Sequence, residues 1–339
     1  LVLRLWPCEG AEVTYAEGPA HLAKSQVIKS VVPLVAIDGQ MSCPPEITKY
    51  SAARLLDQTT FGPTPQAEGQ VMQMGPEAWV DYQLHQPISH LDTSDLHCME
   101  FFEPDERQAR GINEQYWDAV PIRMFDLFID APDQLRLRMS WALSQLLVVS
   151  RNASDIQEIG TAIYFNMLQD HAFGNFRDLI RAVTLSPTMG QFLDNAGSLA
   201  TSEQCPECLP NENYARELLM LFTLGVHQLN MDGTVKTDAS GEALQTFAQD
   251  DVMELARALS GWRIDEPDES DPRLNDCEHP FVQYDQAMVP HTGWPENAHD
   301  PHEKKLLGQK IHAGQGIRAD LESVLDILMN HPNMPPFVS

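Results

Sequence analysis

The sequence contains no run of about 18 apolar residues, the length a helix needs to cross a bilayer. Its longest apolar stretches, around residues 27–37 and 143–149, are interrupted by Lys29 or flanked by polar residues. Basic residues are scarce as well. Only 22 Lys and Arg stand against 49 Asp and Glu, for a formal net charge of −27. Such a field repels phosphate backbones and anionic lipid surfaces, because binding either requires neutralising charge with Lys or Arg. No nucleic acid partner and no membrane span are expected. A neutral or cationic ligand suits this surface better than an anionic one.

Several catalytic signatures are missing too. There is no GxSxG elbow, no GxxxxGK[ST] phosphate loop and no GxGxxG dinucleotide turn. Serine-hydrolase, nucleotidase and dehydrogenase chemistries lose weight accordingly, and no cofactor is expected. Cysteine is sparse at six residues: Cys8, Cys43, Cys98, Cys205, Cys208 and Cys277. Cys205 and Cys208 form a single CPEC in a Ser/Pro/Glu loop, without the second knuckle that structural zinc usually requires. A disulfide, free thiols and a metal or redox role all stay open for it. The chain opens LVLRLWPCEG, with no basic-then-apolar leader, so any export signal is expected to have been removed or to lie outside this sequence.

What is present is a large core and a helical pattern. Hydrophobic residues make up 43% of 339, which excludes disorder throughout. Residues 1–47 are β-branched and short in period, predicting a short β or irregular N-terminal segment. From residue 48 to 339 the pattern predicts a mainly α, multi-helix, single large domain. Thr64-Pro65 and Gly75-Pro76 each read as a cap followed by Pro at the first helical position. Apolar stripes run through 134–149 (Leu135, Met139, Ala142, Leu143, Leu146) and 173–186 (Phe173, Phe176, Ile180, Val183). A helix over 251–260 ends at Gly261, and a last one with Leu321, Val324, Leu325 and Leu328 stops before Pro332. Between these, residues 263–310 are rich in Pro, His and Asp and show no period, as a functional loop or an insertion would.

Five segments come in a familiar order: AARLLDQTTFGPT (52–64), DQLRLRMSWALSQLLVVS (133–150), HAFGNFRDLIRAVTLSPTMGQFLD (171–194), PNENYARELLMLFTLGV (210–226) and DVMELARALSGW (251–262). Over about residues 48–339 the chain resembles the bacterial domain-of-unknown-function family eighteen hundred, DUF1800. The resemblance implies an α-helical, exported protein, extracellular or periplasmic, working beside a companion exported protein. It implies no biochemical activity. The final PNMPPFVS resembles a point where family members run on into further helices, so the domain is expected to continue beyond it.

The segment 210–226 carries the strongest candidate site. On a helix, Glu212 and Arg216 are i,i+4 neighbours, and so are Asn213 and Glu217, with Asn211 as a cap after Pro210. Capping and surface pairing explain these residues without any activity. Yet the opposite face, with Tyr214, Leu218, Leu221 and Phe222, would hold a polar site rigidly. Asp194 lies shortly before in sequence and is expected near Glu212. Paired carboxylates are the minimum equipment for glycoside hydrolysis, one as acid and the other as base or nucleophile. Glu212, Glu217 and Asp194 are thus the candidate catalytic groups, with Arg216, Asn211, Asn213, His171 and Arg136 in binding roles. His171 is expected at a helix start. Arg136 and Arg138 fall on different faces of an apolar helix, with a carboxylate of the 212–217 cluster as the expected partner.

The expected function is an exported hydrolase of glycosides or extracellular polysaccharide. Its alternatives are a non-catalytic assembly or binding protein and a metal-dependent hydrolase. The last would use His291, His299 and His302, flanked by Asp300 and Glu303, although no HExxH helix supports it. The tight turn NMDGT (230–234) lacks the further acids of a calcium loop.

Overall fold

The computed structural model describes residues 47–94, 96, 105, 116–150, 156–265, 284–293, 295–296 and 298–339. The expected N-terminal strands fall almost wholly on residues 1–46, outside this set. The chain divides into two compact units. The described part of the first, within residues 47–58 and 62–79, holds most of α1 (Lys49–Thr59), α2 (Pro65–Met74) and the start of α3 (Pro76–Leu84). Thr64 opens α2 as expected, its hydroxyl accepting from the Ala67 N–H at 3.1 Å. Lys49 and Glu68 form an ion pair within this unit, exposed at the lysine and mostly covered at the glutamate.

The second unit, residues 59–61 and 80–339, carries the rest of the chain. Its helices are α4 (Tyr116–Asp130), α5 (Gln134–Leu146), α6 (Glu158–His171), α7 (Phe176–Leu185) and α8 (Pro187–Phe192), followed by α9 (Asn213–Glu217). A π-helix (Leu218–Thr223), α10 (Gln249–Ala258), α11 (Ile317–Met329) and α12 (Met334–Val338) complete them. The only named sheets among the described residues are two antiparallel pairs: β1 (Trp262–Arg263) with β2 (Val289–Pro290), and β3 (Lys304–Leu306) with β4 (Gln309–Ile311). The fold is therefore mainly α.

Helix α6 explains how two apolar clusters share one unit. Tyr164 and Leu168 join a cluster with α7, α9, α10 and α11, whereas Ile159, Ala162 and Phe165 join one with α4 and α5. A helix that is apolar on both sides must be sandwiched, which is why α6 shows no polar stripe. Helix α7 is the opposite case. Leu179, Ile180 and Val183 point inward while Arg177 and Arg181 reach Glu322 and Asp326 on α11, at 2.6–2.8 Å. These groups are half-exposed, so a double-mutant cycle on Arg181 and Glu322 is expected to give a coupling of only about 0.5–1 kcal/mol.

Two expectations change. The 173–186 stripe divides at Phe173, which lies in the turn before α7, and Leu146 at the end of the 134–149 stripe is exposed. The region 263–310 is also less irregular than its composition suggests. KKLLGQKI folds as a hairpin whose turn residues Leu307 and Gly308 have φ of 49° and 77°. Two successive positive φ values suit a tight two-residue turn.

Helix α10 finishes this hairpin from the side. Asp251 accepts the Leu307 N–H at 2.7 Å and Glu254 accepts that of Lys305 at 2.7 Å, so carboxylates stand where a further strand would. Gly261, just beyond α10, has φ of 91°, and a Cβ there would lie 2.9 Å from the His299 nitrogen. Gly261→Ala is expected to lose about 2 kcal/mol or more, read as a lower denaturant midpoint.

Candidate functional site

The site begins with a change of helical pitch. Instead of one α-helix over 211–224, the chain makes five residues of α9 and then a π-helix, with Leu224 N–H bonded to the Leu219 carbonyl at 3.0 Å. An i→i+5 ladder turns each side chain less far round the axis than an α-helix does, so successive positions drift off the α-helical face. Tyr214, Leu218 and Phe222 stay buried as expected, but Leu221 is turned outward to 54% exposure and Leu219 takes its place inside. The Tyr214 hydroxyl donates to Thr184 Oγ1 at 2.7 Å, since the Thr184 proton is committed to the Ile180 carbonyl. Burial pushes the Tyr214 phenol far above its ordinary pKa, so it anchors the helix rather than ionising.

The polar residues at the front of α9 divide into two groups. Glu212 Oε2 accepts from Arg216 Nη2 and Gln249 Nε2, both at 2.7 Å, and Arg216 Nη2 also donates to Gln249 at 3.1 Å. Gln249 opens α10, so this triangle ties two helix starts together. Asp194 accepts from Asn213 Nδ2 at 2.6 Å. Asn211 caps the turn, accepting from the Asn213 N–H at 2.9 Å, and its own N–H is held by Ser198 Oγ at 2.9 Å. Asp194 itself has φ of 56°, a left-handed conformation that Asp tolerates better than most residues.

Glu217 is the exception among these acids. No protein group bonds its buried Oε2. Burial pushes its pKa up, and the nearby Arg216 charge only partly opposes this. The strand of chain carrying Asp194 is fixed by three backbone bonds: Gly197 N–H to Trp262 O, Gly261 N–H to Ser198 O, and Ala200 N–H to Ala298 O, at 2.7–2.8 Å. Cys205 and Cys208 form a local disulfide in the loop leading to Asn211. The remaining four cysteines lie outside the described residues.

Two sequence expectations need correction. Arg136 does not pair with the 212–217 acids; its Nη1 donates to the Gln169 carbonyl at 2.9 Å and its guanidinium stacks on Phe173 at 4.6 Å. Arg138 lies over Phe61 at 5.5 Å. Rings substitute for carboxylates here because a weakly hydrated planar cation stacks well on an aromatic face. His171 ends α6 instead of starting a helix, since HAFG forms the turn into α7. Among the described residues no group of three His, Cys, Asp or Glu could hold a metal ion. His299 spends both ring nitrogens, Nδ1 on the Ser260 carbonyl at 2.9 Å and Nε2 on Asp320 at 3.1 Å. His302 is exposed, and the His291 N–H is bonded to the Gly261 carbonyl at 2.8 Å.

That loop holds something the sequence reading missed. Asp320 is fully buried and accepts from Lys304 Nζ at 2.6 Å, His299 at 3.1 Å and Gln315 at 3.0 Å. Burial pushes its carboxyl up, but these hydrogen bonds outweigh burial and hold it below the usual carboxylate range. Beside it, Arg257 donates to Asp300 at 2.7 Å and to Glu254 at 2.6 Å. Lys304 sits in an exposed-looking KK pair within a polar loop, so no local pattern marks it as buried.

No curated protein and no solved structure matches the chain. A family model described as a protein of unknown function (DUF1800) matches residues 54–339, covering every motif that builds the α9 and α10 clusters. The chain belongs to the DUF1800 family.

Proposed function

We propose that this protein is an exported hydrolase of glycosides or a related extracellular polysaccharide, with Glu217 as general acid and Asp194 as the second carboxylate. The supporting observation is the unpartnered Glu217 carboxyl, pushed up by burial one helical turn beyond the Asn213 that holds Asp194. Side chains at i,i+4 share one helix face, so Glu217 stands on the same side as the Asn213 that holds Asp194, and a pair of carboxyls is what glycoside hydrolysis uses. Glu217 gives its proton to the departing glycosidic oxygen. Water adds its hydroxyl to the anomeric carbon, and its proton passes to Asp194. Glu212, committed to Arg216 and Gln249, positions the helix and leaves the catalytic set. Export rests on the resemblance and on the acidic, Lys-poor composition.

A second reading, a non-catalytic partner of another exported protein, is favoured by Ile122, Phe125 and Ile129, which share one face of α4 and are exposed. A panel of chromogenic glycosides separates the two readings. Wild-type turnover that is lost in Glu217→Gln and Asp194→Asn but retained in Ile129→Ala supports the hydrolase. No turnover on any substrate, or turnover unchanged by Glu217→Gln, removes it.

A further inference from the structure

Away from the α9 site, a cleft of about 390 Å³ opens along the seam between α10 and β3. On the helix side it is lined by Asp250, Met253, Glu254 and Arg257, which share one face at i, i+3, i+4 and i+7. On the strand side are Lys304, Lys305 and Glu303. Its floor is rigid. Arg257 is held by Asp300 and Glu254, and Lys304 by Asp320, so these charges are already neutralised. The β3 edge offers no free ladder, because Glu254 and Asp251 already accept the outward N–H groups of Lys305 and Leu307. An extended peptide therefore cannot dock here by strand addition.

What the cleft still offers are two opposite charges and an apolar contact. Asp250 and Lys305 are exposed, and Met253, on the same helix face as Asp250, is 48% exposed. The lining holds three acids and three bases, whereas the whole chain has 49 acids to 22 bases. A carboxylate that the protein's overall field would repel thus meets a locally balanced surface. We propose that this cleft binds a small zwitterion, a short apolar peptide with free termini. Its ammonium faces Asp250, its carboxylate faces Lys305 and its side chains lie over Met253. The volume is that of an ordinary small-molecule site. The adaptable thioether accommodates varied aliphatic groups. This inference is independent of the hydrolase reading, since it shares no residue with Glu217 or Asp194.

Isothermal titration of the full chain with the dipeptide Leu-Leu tests it. Saturable binding is expected, weakened roughly tenfold or more by acetylating the amine, by amidating the carboxylate, and by Asp250→Ala or Lys305→Ala. Both replaced side chains are exposed, so each variant stays folded, with only a small fall in the Asp250→Ala transition from its place in the first turn of α10. No saturable heat with Leu-Leu at millimolar concentration overturns the proposal. Equal binding of the blocked peptides, or binding unaffected by both variants, overturns it as well.

Discussion

Asp320→Ala is expected to lower stability by about 3–5 kcal/mol, because it strands a buried ammonium without its counter-charge. Lys304 is 1% exposed, and its remaining hydrogen bond goes to a neutral carbonyl, that of Asp300. The same substitution removes the acceptor of His299 Nε2 and leaves Gln315 Nε2 only its longer bond to Ser323 Oγ at 3.3 Å. For a unit of this size the midpoint of thermal unfolding should fall on the order of 10 °C. The double variant Asp320→Leu with Lys304→Met removes both charges and should recover much of the loss, since apolar groups can replace a buried pair at little expense. A drop below about 1 kcal/mol in the single variant would show that Lys304 finds water instead. The acid side follows from the direction of the Asp320 shift. A carboxyl held low in the fold contributes stability above its unfolded pKa, and this is lost as pH falls through the folded value. Wild type should therefore lose stability below the ordinary carboxylate range more steeply than the double variant.

Glu217→Gln should act in opposite directions on activity and on stability. If Glu217 supplies the proton to a leaving group, its amide cannot, and turnover should fall about 10²–10⁴-fold. Stability should rise, because an acid raised by burial is favoured in its neutral form. Such a group contributes most below its unfolded pKa, and that contribution is lost as pH climbs through the higher folded value. The variant's advantage should then be largest at neutral pH and vanish toward acidic pH in paired thermal melts. Glu212→Gln is the control. It loosens the triangle with Arg216 and Gln249 and should lower stability modestly, by about 1 kcal/mol, because that pair is half-exposed. A stabilised but fully active Glu217→Gln variant would leave burial explained and catalysis elsewhere.

Some of this protein was legible before any coordinates. Helix starts such as Thr64-Pro65, the apolar stripe of α11 and the helix expected over 251–260, found two residues earlier at 249–258, follow from local rules, because a cap or a repeat of 3.6 acts within one or two turns. The acidic surface and the absence of a membrane-length run likewise needed only counting, and among the described residues no helix is long and apolar enough to cross a membrane. Family membership came from motif order, which is itself linear.

Partnerships were a different matter. Glu212 sat four residues from Arg216, so that pair was readable; that Gln249 would complete it depended on how α10 packs beside α9. The π-turn at 218–223 has no local signature, since its side chains could equally fill an α-helix, and it alone turned Leu221 to solvent. Lys304 and Asp320 lie 16 residues apart in unremarkable contexts, yet they form the most buried charge pair described here. Sequence determined which segments would be helical and which surfaces charged, because those choices depend on neighbours along the chain. Only the tertiary structure decided which charges would be removed from water and which acid left unpaired, because desolvation depends on groups brought together from distant segments.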